Sequence, residues 1–106
     1  PAPKAMDRGD MDQVREEFAQ GARRCAAAGF DFIELHMAHG YLLSSFLSPL
    51  SNRRNDDYGG SEENRLRFAR EALQAVRDAV GDRVALGIRA GGFIGHHLTK
   101  ALVARG

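Results

Sequence analysis

Two short apolar runs, each preceded by a segment with helical spacing of apolar side chains, constrain this chain most. The runs are Phe30–His36 and Val84–Ile88, and both have the length of a β-strand. Helices that alternate with short apolar strands are typical of parallel βα units. The order helix, strand, loop, helix, strand, helix therefore predicts an α/β fold whose two strands lie parallel.

The segments before the two strands have the end signals of helices. Asp10–Gln13 fits a capping box at the start of the first helix, and Gly29 is placed to cap its end. Ser61 is a good N-cap for the second helix, which Gly81 closes. The predicted apolar stripes are Val14, Phe18, Gly21/Ala22 and Cys25 in the first helix, and Leu66, Ala69, Leu73, Val76 and Val80 in the second.

Length and composition exclude several classes of protein. The chain has 106 residues, 43% of them apolar and 27% charged, which is ordinary for a globular protein. It is long enough for one small domain but too short for a (β/α)8 barrel of about 250 residues. The net charge of +1 gives no reason to expect nucleic acid or an anionic membrane as a partner.

The remaining bulk features concern compartment and cysteine chemistry. No stretch has the 18 or more apolar residues of a membrane span, and no signal peptide is recognisable, so we expect a cytoplasmic protein without membrane contact. Cys25 is the single cysteine, which excludes an intrachain disulfide and a cysteine metal cluster. Its place on the apolar stripe predicts a small buried side chain rather than a reactive thiol.

Chemistry-bearing side chains follow the first strand directly. His36, His39 and Tyr41 form the pattern His-x-x-His-x-Tyr at a strand end, where α/β folds place their functional loops. Two imidazoles can donate hydrogen bonds to one oxygen or anion, and a phenol can act as a general acid. A metal site is not expected, because no third ligand is evident and the spacing is one residue short of the zinc-binding His-Glu-x-x-His motif. A pair of partly buried, structurally satisfied histidines stays open as the alternative.

Two longer motifs surround this cluster. The first is Gly29-Phe-Asp-Phe-Ile-Glu-Leu-His36-x-Ala-His39-Gly-Tyr41-Leu-Leu-x-x-Phe-Leu-Ser-Pro49, and the second is Asn52-x-Arg54-x-Asp56-x-Tyr58-Gly-Gly-Ser61-x-x-Asn64-Arg65. With both motifs in this order and at this distance, the chain resembles the Old Yellow Enzyme family of NAD(P)H:flavin oxidoreductases over about residues 4–89. Glu62 departs from the pattern, since the family usually carries an apolar residue there.

The resemblance implies that residues 1–89 are part of an FMN-bearing (β/α)8 barrel. It implies FMN as cofactor, NAD(P)H as hydride donor and an α,β-unsaturated carbonyl compound as small-molecule substrate. His36 and His39 would bind the substrate oxygen, and Tyr41 would be the catalytic proton donor to the α-carbon. Arg89 would bind the N1/O2 edge of the flavin, although an exposed arginine at a strand end is the alternative.

Two strands of eight make only part of such a barrel. Their unpaired edges predict that the chain has little or no turnover by itself, so its status as an enzyme stays open, and that it self-associates through the exposed barrel edges.

The second motif reads as scaffold. Arg54, Asp56, Tyr58 and Asn64 are suited to fixing a long loop by charge-assisted hydrogen bonds rather than to catalysis. The following charged residues predict a solvated helix face: Glu62, Glu63, Arg67, Arg70 and Glu71.

The end of the chain has a different pattern. Residues 90–106 resemble the Gly-rich turn and helix that open the Rossmann domain of an extended short-chain dehydrogenase or epimerase, and the resemblance implies cofactor contacts from Gly91, Gly92 and Gly95. Arg89 stands where that fingerprint needs a glycine. We therefore predict two regions, 1–89 and 90–106, joined in a chimera, a mis-assembled reading frame or a designed recombination. An NAD(P)-binding module and an inert chimeric α/β scaffold are the alternative functions.

Overall fold

The structure, a computed structural model, describes residues 2–91, in which one helix precedes the first of two parallel strands and two helices lie between the strands. The elements are α1 (Arg8–Ala27), β1 (Phe32–His36), α2 (Leu42–Leu47), α3 (Glu62–Val80) and β2 (Ala85–Arg89). β1 pairs with β2 in parallel, with Phe32 beside Ala85 and His36 beside Arg89. The predicted parallel βα arrangement is confirmed, while the predicted C-terminal helix lies outside the described residues.

The sheet has one face covered by helices and one face open. Ile33, Leu35, Leu86 and Ile88 join the hydrophobic core that α1 and α3 form. Because side chains alternate along a strand, the residues between them point to the opposite side. We call this side the inner face, and its residues are Phe32, Glu34, His36, Ala85, Gly87 and Arg89.

The apolar stripe of α3 is the centre of the core. Leu66, Ala69, Val76 and Val80 are buried, and Leu73 is partly buried against them, as the spacing predicts. The stripe of α1 is less covered, because Val14 and Phe18 are only partly buried. Cys25 is half-buried as well and lines a groove of about 500 Å³ between α1 and β1, so its predicted burial is wrong. The groove lies along the edge of β1 that does not pair with β2.

The start of α1 differs from the prediction. Asp7, not Asp10, is the N-cap residue: its carboxylate accepts from the Asp10 amide at 2.9 Å. Asp10 is the third helical residue, and its carboxylate accepts from the Asp7 amide at 2.9 Å. A capping box is therefore present, but it begins at Asp7, three residues before the predicted start at Asp10. Both of its positions are aspartates, whose carboxylates accept the two backbone hydrogen bonds. Lys4 pairs with Asp10 at 2.9 Å and fixes the chain before the helix.

The first strand begins two residues later than predicted. The Phe30 amide donates to the Cys25 carbonyl at 3.1 Å and the Gly29 amide donates to the Ala26 carbonyl at 3.1 Å. With Gly29 at a φ of +95°, these two bonds form a Schellman motif that ends α1. Phe30 thus belongs to the helix end, and pairing starts at Phe32.

The later boundaries also shift slightly. β2 spans Ala85–Arg89 rather than Val84–Ile88, which makes Arg89 the last paired residue. The segment predicted as loop after Tyr41 contains the short helix α2, which ends two residues before Pro49. The helix caps predicted for α3, Ser61 and Gly81, are confirmed.

Across residues 2–91, none of the helices combines the length and the apolar character that a bilayer crossing needs.

Candidate functional site

The chain turns back on itself directly after β1. His39 and Gly40 have φ angles of +60° and +75°, and the Tyr41 amide donates to the Ala38 carbonyl at 3.3 Å. Two successive positive φ angles make a tight turn, which glycine adopts easily and histidine adopts at a cost. Tyr41 is then the residue at the N-cap position of α2. The turn therefore folds His39 and Tyr41 back towards the strand end.

The turn brings the three predicted ligand-binding rings together. The ring centroids of His36 and His39 are 5.3 Å apart with an interplanar angle of 78°. The centroids of His36 and Tyr41 are 5.2 Å apart with an angle of 58°. His36 is half-buried, whereas His39 is exposed and Tyr41 is 65% exposed. The polar atoms of two of these side chains are thus accessible to a ligand.

The hydrogen bonding of His36 indicates which ring nitrogen carries the proton. Its Nδ1 atom accepts from the Ala38 amide at 3.3 Å. An Nδ1 that accepts a hydrogen bond has no proton, so the neutral ring is assigned its proton on Nε2. His36 can therefore donate from Nε2 to a ligand oxygen.

A cation lies beside this cluster on the neighbouring strand. Arg89 is the register partner of His36, and its carbonyl accepts from the Met37 amide at 2.8 Å. Its side chain is 58% exposed, and Nε contacts the Glu34 carboxylate at 3.0 Å. Sequence reasoning predicted Arg89 at this place and missed Glu34. The available signal was the strand period of two, which places Glu34 on the same face as His36.

Of the glycines predicted to bind a nucleotide, the structure describes Gly91 alone. Gly91 is exposed two residues after β2, with no atom within 4 Å of the position its Cβ would take. Gly92 and Gly95 lie outside the described residues. Among residues 2–91, no three His, Cys, Asp or Glu side chains are close enough to hold a metal ion together.

Asn52 joins the 52–60 loop to α2, the helix that follows Tyr41. The Nδ2 atom of this buried residue donates to the carbonyls of Phe46 at 2.7 Å and Tyr58 at 2.8 Å, and its Oδ1 accepts from the Arg54 amide at 3.0 Å. All three bonds are local to α2 and the loop, so Asn52 fixes the loop against the helix that follows Tyr41. Sequence reasoning did not single out Asn52.

Arg54 and Asp56 act as predicted within this loop. The Arg54 guanidinium contacts Asp56 at 2.7 Å and donates to the Met6 carbonyl at 2.8 Å. The hydrogen bond from Arg54 lowers the pKa of the Asp56 carboxyl below its usual value. The Asn64 amide adds a bond to the Gly59 carbonyl at 3.0 Å. The hydrogen bonds predicted to fix this loop are therefore present.

Tyr58 links the loop to two helices. Its ring is buried, and its hydroxyl donates to Glu71 of α3 at 2.7 Å and accepts from Arg8 of α1 at 3.1 Å. Glu71 also pairs with Arg15 at 2.9 Å. The prediction that Glu71 belongs to a solvated face is therefore wrong, because α1 packs against that side of α3. Burial, and then the hydrogen bond to Glu71, raise the pKa of Tyr58.

Known proteins share both the sequence and the shape of this region. The family model for the NADH:flavin oxidoreductase / NADH oxidase family matches residues 1–98, and so continues nine residues beyond Arg89. The chain is 56% identical over 78 residues to an NADPH dehydrogenase of Geobacillus thermodenitrificans, covering 74% of this chain and 23% of that protein. It is 45% identical over 89 residues to an NADH:flavin oxidoreductase of Gibberella zeae, covering 84% and 22%.

Solved structures agree with the sequence comparison. Histamine dehydrogenase from Rhizobium sp. 4-9 superposes with a TM-score of 0.80 at 44% identity, over 85% of this chain and 14% of that one. Morphinone reductase in complex with tetrahydroNAD superposes with a TM-score of 0.79 at 40% identity, over 88% and 25%. The chain thus spans a quarter or less of these relatives, and its fold is part of their α/β barrel. It belongs to the NADH:flavin oxidoreductase / NADH oxidase family, as its resemblance to Old Yellow Enzymes predicts.

Proposed function

We propose that this chain supplies the substrate-binding and proton-donating part of an FMN-dependent NAD(P)H oxidoreductase that reduces α,β-unsaturated carbonyl compounds. The observation that carries the proposal is the cluster at the carboxyl end of β1, where the ring centroids of His39 and Tyr41 lie 5.3 and 5.2 Å from that of His36. Arg89 lies beside it at the corresponding end of β2.

The three rings suit the substrate side of this reaction. His36 donates from Nε2 and His39 is exposed beside it, so both can hydrogen-bond one carbonyl oxygen. Withdrawing electron density into that oxygen makes the β-carbon of the conjugated system electron-poor. The Tyr41 phenol, within 5.2 Å of the His36 ring, then donates its proton to the α-carbon.

Arg89 suits the cofactor side. Its contact to Glu34 uses Nε, and within the described part of the chain the two terminal nitrogens have no hydrogen-bond partner. An exposed guanidinium with donors available fits the electron-rich edge of FMN and would offset negative charge on the reduced ring. When bound, FMN reduced by NAD(P)H supplies the hydride for the β-carbon.

Titration of FMN with the full chain tests the cofactor assignment. We expect saturable quenching of flavin fluorescence with a shifted visible spectrum, and at least tenfold weaker binding for Arg89→Ala. Arg23→Ala is the matched control, since Arg23 also pairs with a glutamate at 3.0 Å but lies on the exposed side of α1. A folded chain, verified by circular dichroism, that leaves the flavin spectrum unchanged would overturn the proposal.

Titration with 2-cyclohexenone, followed by the imidazole resonances in NMR spectra, tests the substrate assignment. His36→Ala and His39→Ala should each weaken binding about tenfold, which corresponds to one lost hydrogen bond of about 1.4 kcal/mol. Tyr41→Phe should leave binding within about twofold, because the phenol acts on carbon rather than on the bound oxygen. Equal affinities for all variants would contradict the assignment.

The same proposal includes self-association. β1 and β2 each carry one edge without a strand partner in residues 2–91, and the inner face exposes Phe32. Sedimentation velocity of the isolated chain over a range of concentrations measures this directly, and a constant monomer mass would count against it.

A further inference from the structure

We propose that Glu34 is a positioning residue that holds the Arg89 guanidinium on the inner face and tunes its effect on the bound flavin. This inference rests on the proposed function, because it concerns the same cofactor. Glu34 touches neither of the histidines nor Tyr41 in the described hydrogen bonds. Its contact is the Arg89 Nε atom, 3.0 Å from its Oε1.

The strand register explains why the two side chains meet. Arg89 is the partner of His36, and Glu34 lies one inner-face position earlier on β1. The Arg89 side chain must therefore bend back along the sheet to reach Glu34. Gly87 is the register partner of Glu34 and brings no side chain into this space.

A second contact on the inner face joins Phe32 to Gly87, next to the ion pair. A Cβ at position 87 would lie 2.6 Å from the Phe32 ring, which shows that this ring lies over the Gly87 backbone. Along β1, Glu34 therefore lies between Phe32, whose ring covers Gly87, and His36.

The Arg89 nitrogen that Glu34 contacts determines which donors remain for a ligand. A carboxylate that contacts Nε leaves both terminal nitrogens of the guanidinium available as paired donors. Glu34 thereby holds the guanidinium through Nε and leaves these donors available to the proposed flavin edge. Its negative charge also cancels part of the positive charge of Arg89, so the reduced cofactor, which carries the extra negative charge, is stabilised less than it would be by arginine alone.

Two substitutions separate position from charge. Glu34→Ala removes the contact, and we expect FMN to bind at least tenfold more weakly. Glu34→Gln keeps an oxygen acceptor at the same reach but removes the charge, so affinity for oxidised FMN should stay within about threefold. Reduced FMN should then bind about tenfold more tightly relative to oxidised FMN, a rise in the two-electron reduction potential of about 30 mV.

Glu16→Gln is the matched control. Glu16 contacts Arg23 at 3.0 Å on the exposed side of α1, so its substitution removes the same charge from the same kind of pair at a distance from the inner face. We expect neither affinity nor potential to change. FMN binding to the full chain is followed by flavin fluorescence, and the potential by reductive titration with a reference dye.

The outcomes distinguish the two proposals. If the unsubstituted chain binds FMN but Glu34→Ala binds it equally well, the role of Glu34 is overturned while the flavin assignment stands. If Glu34→Gln lowers the reduction potential of the bound flavin, the proposed effect of the Glu34 charge is overturned. If the unsubstituted folded chain binds no FMN, the flavin assignment is overturned, and the role of Glu34 with it.

Discussion

His39 is a histidine in a backbone conformation that suits glycine. Its φ of +60° lies in the left-handed region, where a side chain with a Cβ costs about 1 kcal/mol or more relative to glycine. The neighbouring Gly40 adopts a similar φ without that cost. An exposed polar ring at this strained position, next to His36, supports the ligand-binding role that we propose for the turn. The strain lowers the stability of the chain, while the same backbone conformation places the His39 ring beside His36.

Substitution of His39 tests this strain. We expect His39→Gly to have a free energy of unfolding about 1 kcal/mol higher than that of His39→Ala, because only alanine keeps a Cβ at positive φ. Urea denaturation at equilibrium measures both values. At the exposed helical position Gln20 the order should reverse, with alanine about 1 kcal/mol more stable than glycine. An alanine advantage at both positions would show that the turn is not strained.

The 52–60 loop is an element held by close packing rather than by regular hydrogen bonding. A Cβ on Gly59 would lie 2.5 Å from the Arg54 carbonyl oxygen and 2.7 Å from Asn52 Oδ1, so backbone and a buried amide leave no space there. Gly59 is therefore required by close approach, not by an unusual φ. The loop in turn carries the Arg54–Asp56 pair and the Tyr58 ring.

Two glycine substitutions should move stability in opposite directions. Gly59→Ala should lower the free energy of unfolding by about 2 kcal/mol, since the loop must shift to admit a methyl group. Gly21→Ala should raise it by about 0.5–1 kcal/mol, because that position is helical and its Cβ would meet no atom within 4 Å. Thermal unfolding followed by circular dichroism measures both, and a Gly59→Ala variant as stable as the parent would contradict the packing argument.

The sequence predicts the elements of this fold better than the contacts between them. Strand pattern and motif were enough to place His36, His39, Tyr41 and Arg89 at one end of a parallel sheet, because alternating helices and strands predict parallel pairing and these residues end or follow the strands. The contact of Glu71 with Tyr58 could not be predicted that way, since it depends on how α1 packs across α3. Helix and strand ends shifted by up to three residues because caps compete, as the Asp7 and Phe30 hydrogen bonds show.

Tyr58 joins three parts of the molecule, so its ionisation acts on the stability of the whole. Its hydroxyl connects α1 through Arg8 and α3 through Glu71, and its ring is buried. The folded chain raises the pKa of this phenol above 10.0, mainly through burial. As pH rises past 10, the unfolded chain therefore loses its proton first, and the stabilising contribution of the neutral phenol is lost as pH approaches the folded pKa.

Ultraviolet titration of the Tyr41→Phe variant tests this directly. The chain has two tyrosines and no tryptophan, so the tyrosinate absorbance of this variant reports Tyr58 alone. We expect the phenol to ionise above pH 10 in the folded chain, and the urea midpoint to fall as pH rises from 10 towards the folded-state pKa. Urea unfolding should return the titration to about 10. A folded-state midpoint at or below 10 would contradict the prediction.

The parallel pairing of His36 with Arg89 also determines when the site can form. These residues are 53 positions apart in the chain, and the contacts within α1 and α3 are far more local. Contacts across long loops cost the most closure entropy and generally form late in folding. A folding intermediate with both long helices intact would therefore still hold the two halves of the site apart. Any molecule that bridges His36 and Arg89 should then slow unfolding by holding together the last contact to be made.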